Sequence, residues 1–375
     1  MTFEIAEQNN NARVGILKTS NGDIQTPFFM PDATRASVRG ITNEQLKSVG
    51  VHPMVVNTYH LLLQPGMDLM RNAGGVHKFM GWDGPLLSDS GGYQVYSLIH
   101  KNAKLGKITE EGAEFRSVLD GSKYLLTPEK AIKIQFDLGV DMMVLLDDPR
   151  PNNVPEQEIE RAVERTIRWA ERCKIEFEKQ IVGRGFDDET RPLLFAVVQG
   201  GSFVHLRKKC SEALIEIGFD GYSFGGRHVD ESGKFMTEVI EKTASFMPEN
   251  KPRFALGIGT PTDIVKCYNF GWDMFDCVIP TREGRHGRLF LHNDTEIDED
   301  GKFYTTMNIA NAKFKDDFTP IDDKCDCYAC QNYTRAYIHH LFRVGEPLGG
   351  QMASLHNLRF YVKLMQNLQL SKINV

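Results

Sequence analysis

Short apolar runs, each closing on a polar or glycine-rich elbow and followed by a segment of helical period, recur along the chain. They fall at residues 27–30, 54–57, 85–89, 142–147, 193–199, 221–226, 254–259 and 274–278. Such alternation predicts βαβ units and a parallel sheet, because strands buried on both faces read as continuous apolar runs. Eight of them is the count of a (β/α)8 TIM barrel, an α/β fold in which function collects at the C-terminal ends of the strands. A doubly wound open sheet would usually carry fewer strands and one dominant glycine-rich phosphate loop, and the chain has no such loop.

Helix signals sit between the runs. Thr42-Asn43-Glu44-Gln45 reads as a capping box, and Thr127-Pro128-Glu129 as an N-cap followed by proline at the first helical position. After the fourth run, Ile159, Val163, Thr166, Ala170, Cys173 and Phe177 recur at steps of three and four, the stripe of a helix covering a sheet. Residues 91–127 read as an insertion. Beyond the eighth run the pattern changes to a hairpin over 286–308, a cysteine-rich unit and a helix over 334–342. The expected division is a barrel over 1–285, the hairpin with an appended zinc-binding subdomain over 286–360, and a C-terminal helix over 361–375 packing on the barrel.

The polar punctuation follows the barrel rule. Asn57, Asp89, Asp147, Gln199, Gly225-Gly226, Gly257 and Asp276 all stand at or near the C-terminal end of a run. Asp276 is the most demanding of these, since a carboxylate among Met274, Phe275, Val278 and Ile279 loses its hydration and has to be paired or used. Pairing with Arg282 or Arg285 is the structural alternative to a chemical role.

Composition narrows the classes. With 375 residues, 41% hydrophobic and 25% charged, the chain has the balance of a globular protein with a large core. A net charge of −6 excludes coating nucleic acid by bulk charge. From Pro280 onward, however, 12 Lys/Arg meet 12 Asp/Glu, so the whole deficit lies earlier and the last quarter has room for a local basic face. No secretory leader or run of membrane-spanning length is apparent, which leads us to expect a cytoplasmic protein and no membrane partner. Four of the seven cysteines are scattered in apolar contexts. The other three, Cys325, Cys327 and Cys330, are spaced to turn onto one point, where a fourth ligand would close a tetrahedral zinc site. His339, His340 and His356 are the candidates. His356 is preferred, since the other two lie on a helix that must itself leave the cluster. A site closed by four protein ligands leaves no open coordination position, so one structural zinc per chain is expected.

Several motifs together resemble the tRNA-guanine transglycosylases, which exchange a guanine in tRNA for a 7-deazaguanine base. They are Asn57-Thr58-Tyr59-His60, Ser88-Asp89-Ser90-Gly91-Gly92-Tyr93-Gln94, Gln199-Gly200-Gly201, Gly225-Gly226, Leu256-Gly257-Ile258-Gly259, Asp273-Met274-Phe275-Asp276-Cys277-Val278, Pro280-Thr281-Arg282, and the three cysteines with His356. They span nearly the whole chain. The pattern is similar to the bacterial branch, which acts at the wobble position of tRNA with a GUN anticodon.

The resemblance implies Asp276 as nucleophile and Asp89 as general acid/base, two carboxylates being what exchange at an anomeric carbon needs. It implies that Asp147, Gln199, Gly226, Tyr93, Leu256 and Ser90 bind the base, that Arg282, Arg285 and Arg288 contact tRNA, and that the enzyme is a homodimer. Tyr333, Tyr337 and His340 offer an aromatic helix face for that contact, or for packing on the barrel. Pro149 departs from the family pattern, where a cysteine lies beside the base pocket. Val229 and Glu231 resemble the form using the aminomethyl queuine precursor rather than queuine, and Pro149 and Arg227 weigh against that choice. Two other readings are a non-catalytic RNA-binding subunit of a heterodimer and a barrel hydrolase holding a catalytic metal on Asp147-Asp148.

Overall fold

The computed structural model describes residues 2–370. The eight runs form one parallel sheet whose strands are Phe28–Pro31, Met54–Asn57, Leu86–Asp89, Met142–Val144, Leu193–Val198, Gly221–Phe224, Arg253–Ala255 and Met274–Cys277, referred to below as strands one to eight. Strand eight pairs with strand one, Asp276 opposite Met30, and a single parallel bridge from Asp32 to Val55 brings strand one against strand two. The sheet thereby curls into the expected barrel, filled by side chains such as Leu87, Met142, Phe195, Phe254 and Met274 that are buried almost completely.

Strand seven is shorter than its apolar run. It ends at Ala255, and Gly257 takes φ +71°, a left-handed conformation that a glycine adopts without strain. The chain leaves the ladder there and turns an amide toward strand eight. The striped helix runs from Glu156 to Arg184 and buries all six stripe residues. Thr42 forms the capping box with Gln45, and Thr127 accepts a hydrogen bond from the Lys130 amide above Pro128.

Residues 91–127 hold the helix Gly92–Lys101 and a three-stranded antiparallel sheet, Gly106–Ile108, Ala113–Arg116 and Lys123–Leu126. A second three-stranded antiparallel sheet, Phe3–Asn9, Ala12–Leu17 and Ile24–Thr26, was not anticipated. It lies under the N-terminal ends of the barrel strands, where Arg13 reaches Asp273. After the barrel come the hairpin Arg288–His292 with Tyr304–Asn308, the helix Arg335–Val344 and the long helix Pro347–Leu370. That last helix packs on the helix after strand eight, Ile279–Arg285, where Gly284 lies so close that a Cβ would stand 2.6 Å from the Ser354 amide. It carries both His356 and the start of the expected C-terminal segment; residues 371–375 lie outside the described residues. Among the described residues no helix is long and apolar enough to cross a membrane.

Candidate active site

Strands three to eight and the turns that follow them line one cavity of about 520 Å³ at the C-terminal end of the barrel. Asp276 enters it from strand eight, 9% exposed, and accepts the Gly257 amide at 2.7 Å. The positive φ of Gly257 is what aims that amide. Neither Arg282 nor Arg285 pairs with Asp276; Arg282 leans on Glu283 at 3.4 Å. Burial pushes the Asp276 carboxyl up, Asp32 and Asp89 push it further, and the single amide only partly opposes them.

Asp89, at the end of strand three, is held from two sides. Asn57 caps the helix Thr58–Leu63 through Oδ1, which accepts the His60 amide at 3.1 Å, so its Nδ2 is left to donate to Asp89 at 2.6 Å. The Gly91 amide and Gln94 Nε2 donate at 3.1 and 3.3 Å. Burial and then Asp32 raise this carboxyl to about 7 against those hydrogen bonds. Gly91 has to be glycine twice over: its φ is +77°, and a Cβ would meet the Tyr59 amide nitrogen at 2.8 Å. Ser90 stands between Asp89 and Gly91, its hydroxyl accepting the Gly92 amide at 3.3 Å.

Asp147 follows strand four, and its carboxyl is also raised to about 7, by burial first. Gln199 Nε2 donates to it at 2.6 Å from behind the cavity wall. Asp148 faces elsewhere. It pairs with Arg150 at 3.0 Å and Arg165 at 2.5 Å, so the two neighbouring acids do not converge as a metal-holding pair. Gly226, Leu256, half-exposed Tyr93 and Arg282 complete the wall, together with Pro149, Arg227 and Val229. Arg285 opens instead into a separate cleft with Arg39, and Arg288 lies exposed with Glu283 3.8 Å away. Glu231 is exposed and is not part of the cavity wall.

Two residues that sequence reasoning passed over belong to this end of the barrel. Asp32 lies just beyond strand one, between strands eight and two, and its carboxyl is raised by burial. The signal was there: Asp32 is two residues past Met30, hence on the face that Met30 shares with Asp276. Arg207 is fully buried under the ends of strands five and six. It donates to the carbonyls of Gly201, Val198 and Gly225 at 2.8, 3.1 and 3.1 Å and stacks on Phe224. Its helical setting reads as surface, and the space left by Gly200 admits it, since a Cβ there would stand 2.5 Å from the Arg207 Cγ.

The cysteine unit is separate. Cys325, Cys327, Cys330 and His356 are all buried, with ligand atoms within 4.8 Å of one another, a set that could hold a metal ion. His356 Nε2 lies 2.7 Å from the Phe290 carbonyl, which leaves Nδ1 facing the sulfurs, 3.3 Å from Cys330. His339 is engaged with the Ile309 carbonyl and His340 is exposed. Arg359, one turn beyond His356, grips Asp326 with two hydrogen bonds of 2.6 and 2.7 Å and so ties the cysteine loop to the long helix.

A family model described as queuine tRNA-ribosyltransferase matches residues 8–371. Among curated proteins, a queuine tRNA-ribosyltransferase of Halothermothrix orenii is 46% identical over 97% of this chain and 91% of its own length. One of Thermoanaerobacter pseudethanolicus is 43% identical over 97% and 90%, and one of Staphylococcus aureus 43% identical over 96% and 89%.

Proposed function

The chain belongs to the queuine tRNA-ribosyltransferase family and is a tRNA-guanine transglycosylase, a pentosyl-transferring enzyme, and from that premise we propose how its barrel mouth performs the exchange. Asp276 is the nucleophile: its carboxylate bonds to the ribose C1′ as the bond to guanine breaks. Asp89 gives its proton to the departing guanine and takes one from the incoming base, whose nitrogen then displaces Asp276. The proton count closes, and the RNA strand stays intact throughout. The observation that carries this reading is that one cavity joins Asp276, Asp89 and Asp147, three buried or part-buried carboxylates with no ion pair among the described residues.

Unpaired acids whose environments push their proton affinities up are what acid/base work near neutral pH requires. Asp147, held by Gln199, accepts the ring and exocyclic N–H groups of guanine, while the Gly226 amide and the remaining Gln199 amide hydrogen face its carbonyl. Tyr93 and Leu256 bracket the ring, and Ser90 holds the turn between them and Asp89. Arg282 at the rim, with Arg285 and Arg288 beyond it, meets phosphates of a tRNA presenting a GUN anticodon.

The incoming base is a 7-deazaguanine, either the aminomethyl precursor or queuine. Its 7-substituent meets the wall of Pro149, Arg227 and Val229, and a competition assay between the two bases identifies which is taken. The Cys3His cluster holds one structural zinc, which supplies a fixed junction and no chemistry at the barrel mouth. Chelation under denaturing stress should lower the unfolding midpoint, while exchange persists for as long as the chain stays folded. Tyr328, Tyr333 and Tyr337 form a ring-to-ring chain with centroids 5.9 and 5.0 Å apart, and with exposed His340 they make the face of a homodimer in the cytoplasm.

Incorporation of labelled guanine into a GUN tRNA tests the reading. Asp276→Asn is expected to lower exchange by more than about 10³-fold and to abolish the denaturation-resistant protein–RNA adduct. An adduct surviving in that variant overturns the nucleophile assignment. Its formation by the chain alone excludes a non-catalytic subunit.

A further inference from the structure

The exchange as proposed uses two carboxylates, yet the barrel presents a third beside them. Strand register places Met30 opposite Asp276, so Asp32, two residues further on and just past the end of strand one, continues on the same side of the sheet. Its bridge partner Val55 stands opposite Leu87, two residues before Asp89, which puts Asp89 on that side as well. Asp32 therefore lies between the two acids around the barrel mouth. We propose that Asp32 is a positioning residue of the exchange site, whose charge sets where along the pH scale the exchange profile lies.

The surroundings support this role. Among the described residues Asp32 makes no side-chain hydrogen bond or ion pair, so nothing there assigns it to holding the fold. Facing it are Asp276 on strand eight and Asp89 on strand three, with neutral Asn57 on strand two, while Cys277 points to the other face of strand eight. The cations nearby are directed elsewhere: Arg35 of its own loop acts on His60, and Arg282 pairs with Glu283. Burial acts first on both Asp276 and Asp89, and in each case Asp32 is the leading charge that adds to it, ahead of either acid's effect on the other. Asp32 needs no net proton change over the cycle, since guanine leaves with the proton of Asp89 and the incoming base restores it.

The sign follows from like-charge repulsion. Removing the Asp32 charge makes its neighbours easier to ionise, so both limbs of the pH profile move down: the acid limb, where Asp276 must lose its proton, and the alkaline limb, where Asp89 must keep one. Rates of labelled-guanine exchange against pH should show this in Asp32→Asn as a shift of about one unit, roughly a tenfold gain at the acid end relative to the optimum. Asp32→Ser, which also lacks the charge, should shift alike, and Asp32→Glu should restore the wild-type profile.

Profiles of the Asn and Ser variants that superimpose on wild type after scaling, or a Glu variant that shifts with them, would overturn the proposal. The inference rests on the roles given to Asp276 and Asp89. A surviving adduct in Asp276→Asn would remove that basis whatever Asp32 does, whereas an adduct lost there with an unshifted Asp32→Asn profile would remove only the role of Asp32.

Discussion

Strand eight carries an aspartate immediately before it and another within it, and the two live in opposite electrostatic worlds. Asp273, at the N-terminal end, receives Arg13 through Nε at 2.8 Å and Nη2 at 2.5 Å and the Arg253 amide at 2.7 Å. Three residues later Asp276 receives one amide and no cation. The same contrast divides the whole barrel. Asp141, beneath strand four, collects hydrogen bonds from the Leu86 and Asn21 amides and from Ser20, with His77 3.2 Å away. Asp32, Asp89 and Asp276 crowd the other end, where burial raises all three and Asp32 adds to the rise of the other two. One end saturates its carboxylates and joins the elements; the other leaves them short of partners, which stores the proton affinity that chemistry draws on.

Breaking the saturated end should have the larger effect on stability. Asp273→Asn leaves the Arg13 guanidinium buried without its charge partner and should lower unfolding free energy by about 3–5 kcal/mol. Asp276→Asn strips no partner of its charge and should not destabilise the fold, even as it stops exchange. Urea unfolding of both variants provides the comparison. If Asp276→Asn loses as much stability as Asp273→Asn, the division between the ends is wrong.

Arg207 sharpens the picture, because it is a structural cation placed at the functional end. Its three carbonyl partners close strands five and six directly under Gln199 and Gly226. Arg207→Met would take the guanidinium donor from the Gly201 and Gly225 carbonyls in a dry space, while Val198 keeps the Gly225 amide at 3.0 Å, with an expected loss of about 2–3 kcal/mol. The affected floor carries the base rather than the ribose. The KM for the incoming base should therefore rise while adduct formation with tRNA persists, and a variant that loses the adduct but keeps its base affinity would refute that placement.

How much of this was legible in the sequence depended on whether the physics was local. Strands buried on both faces announce themselves as apolar runs, and the Thr42 and Thr127 caps as fixed spacings, so the barrel was readable. Strand seven was overestimated because an apolar run continues through Leu256 while the backbone leaves the ladder at Gly257. The N-terminal sheet escaped notice because a register shift between Ile5 and Glu7 breaks its alternation. Asp276 stood out as an acid inside an apolar run. Asp32, one residue past Pro31, looks like any turn aspartate, and only closure of the barrel brings it between the other two. The three cysteines advertise their common point over six residues, whereas the place of His356 depends on how the long helix crosses them.

The smallest expected effect is a difference in sign, because Asp276 at the mouth and Asp141 at the base should respond to pH in opposite directions. Burial, then Asp32, raises the Asp276 carboxyl above its unfolded value of about 4, so the folded state binds that proton more tightly. Stability is then lost as pH climbs from the unfolded value through the folded one. Asp276→Asn should match wild type near pH 4 and become the more stable protein toward pH 8, by on the order of 1–2 kcal/mol, since the proton is shared among neighbouring acids. Asp141 is the reverse. Burial pushes its carboxyl up, but hydrogen bonds from His77, Leu86, Ser20 and Asn21 outweigh it and hold the carboxyl below its ordinary value. Its contribution is present above the unfolded value and disappears as pH falls through the folded one. Asp141→Asn should thus be the less stable protein at pH 7, with a deficit that closes in acid. Denaturation midpoints of the two variants between pH 4 and 8 give two difference curves. Curves of opposite slope support the division, and curves that run parallel would mean that the barrel mouth carries no more unpaired charge than its base.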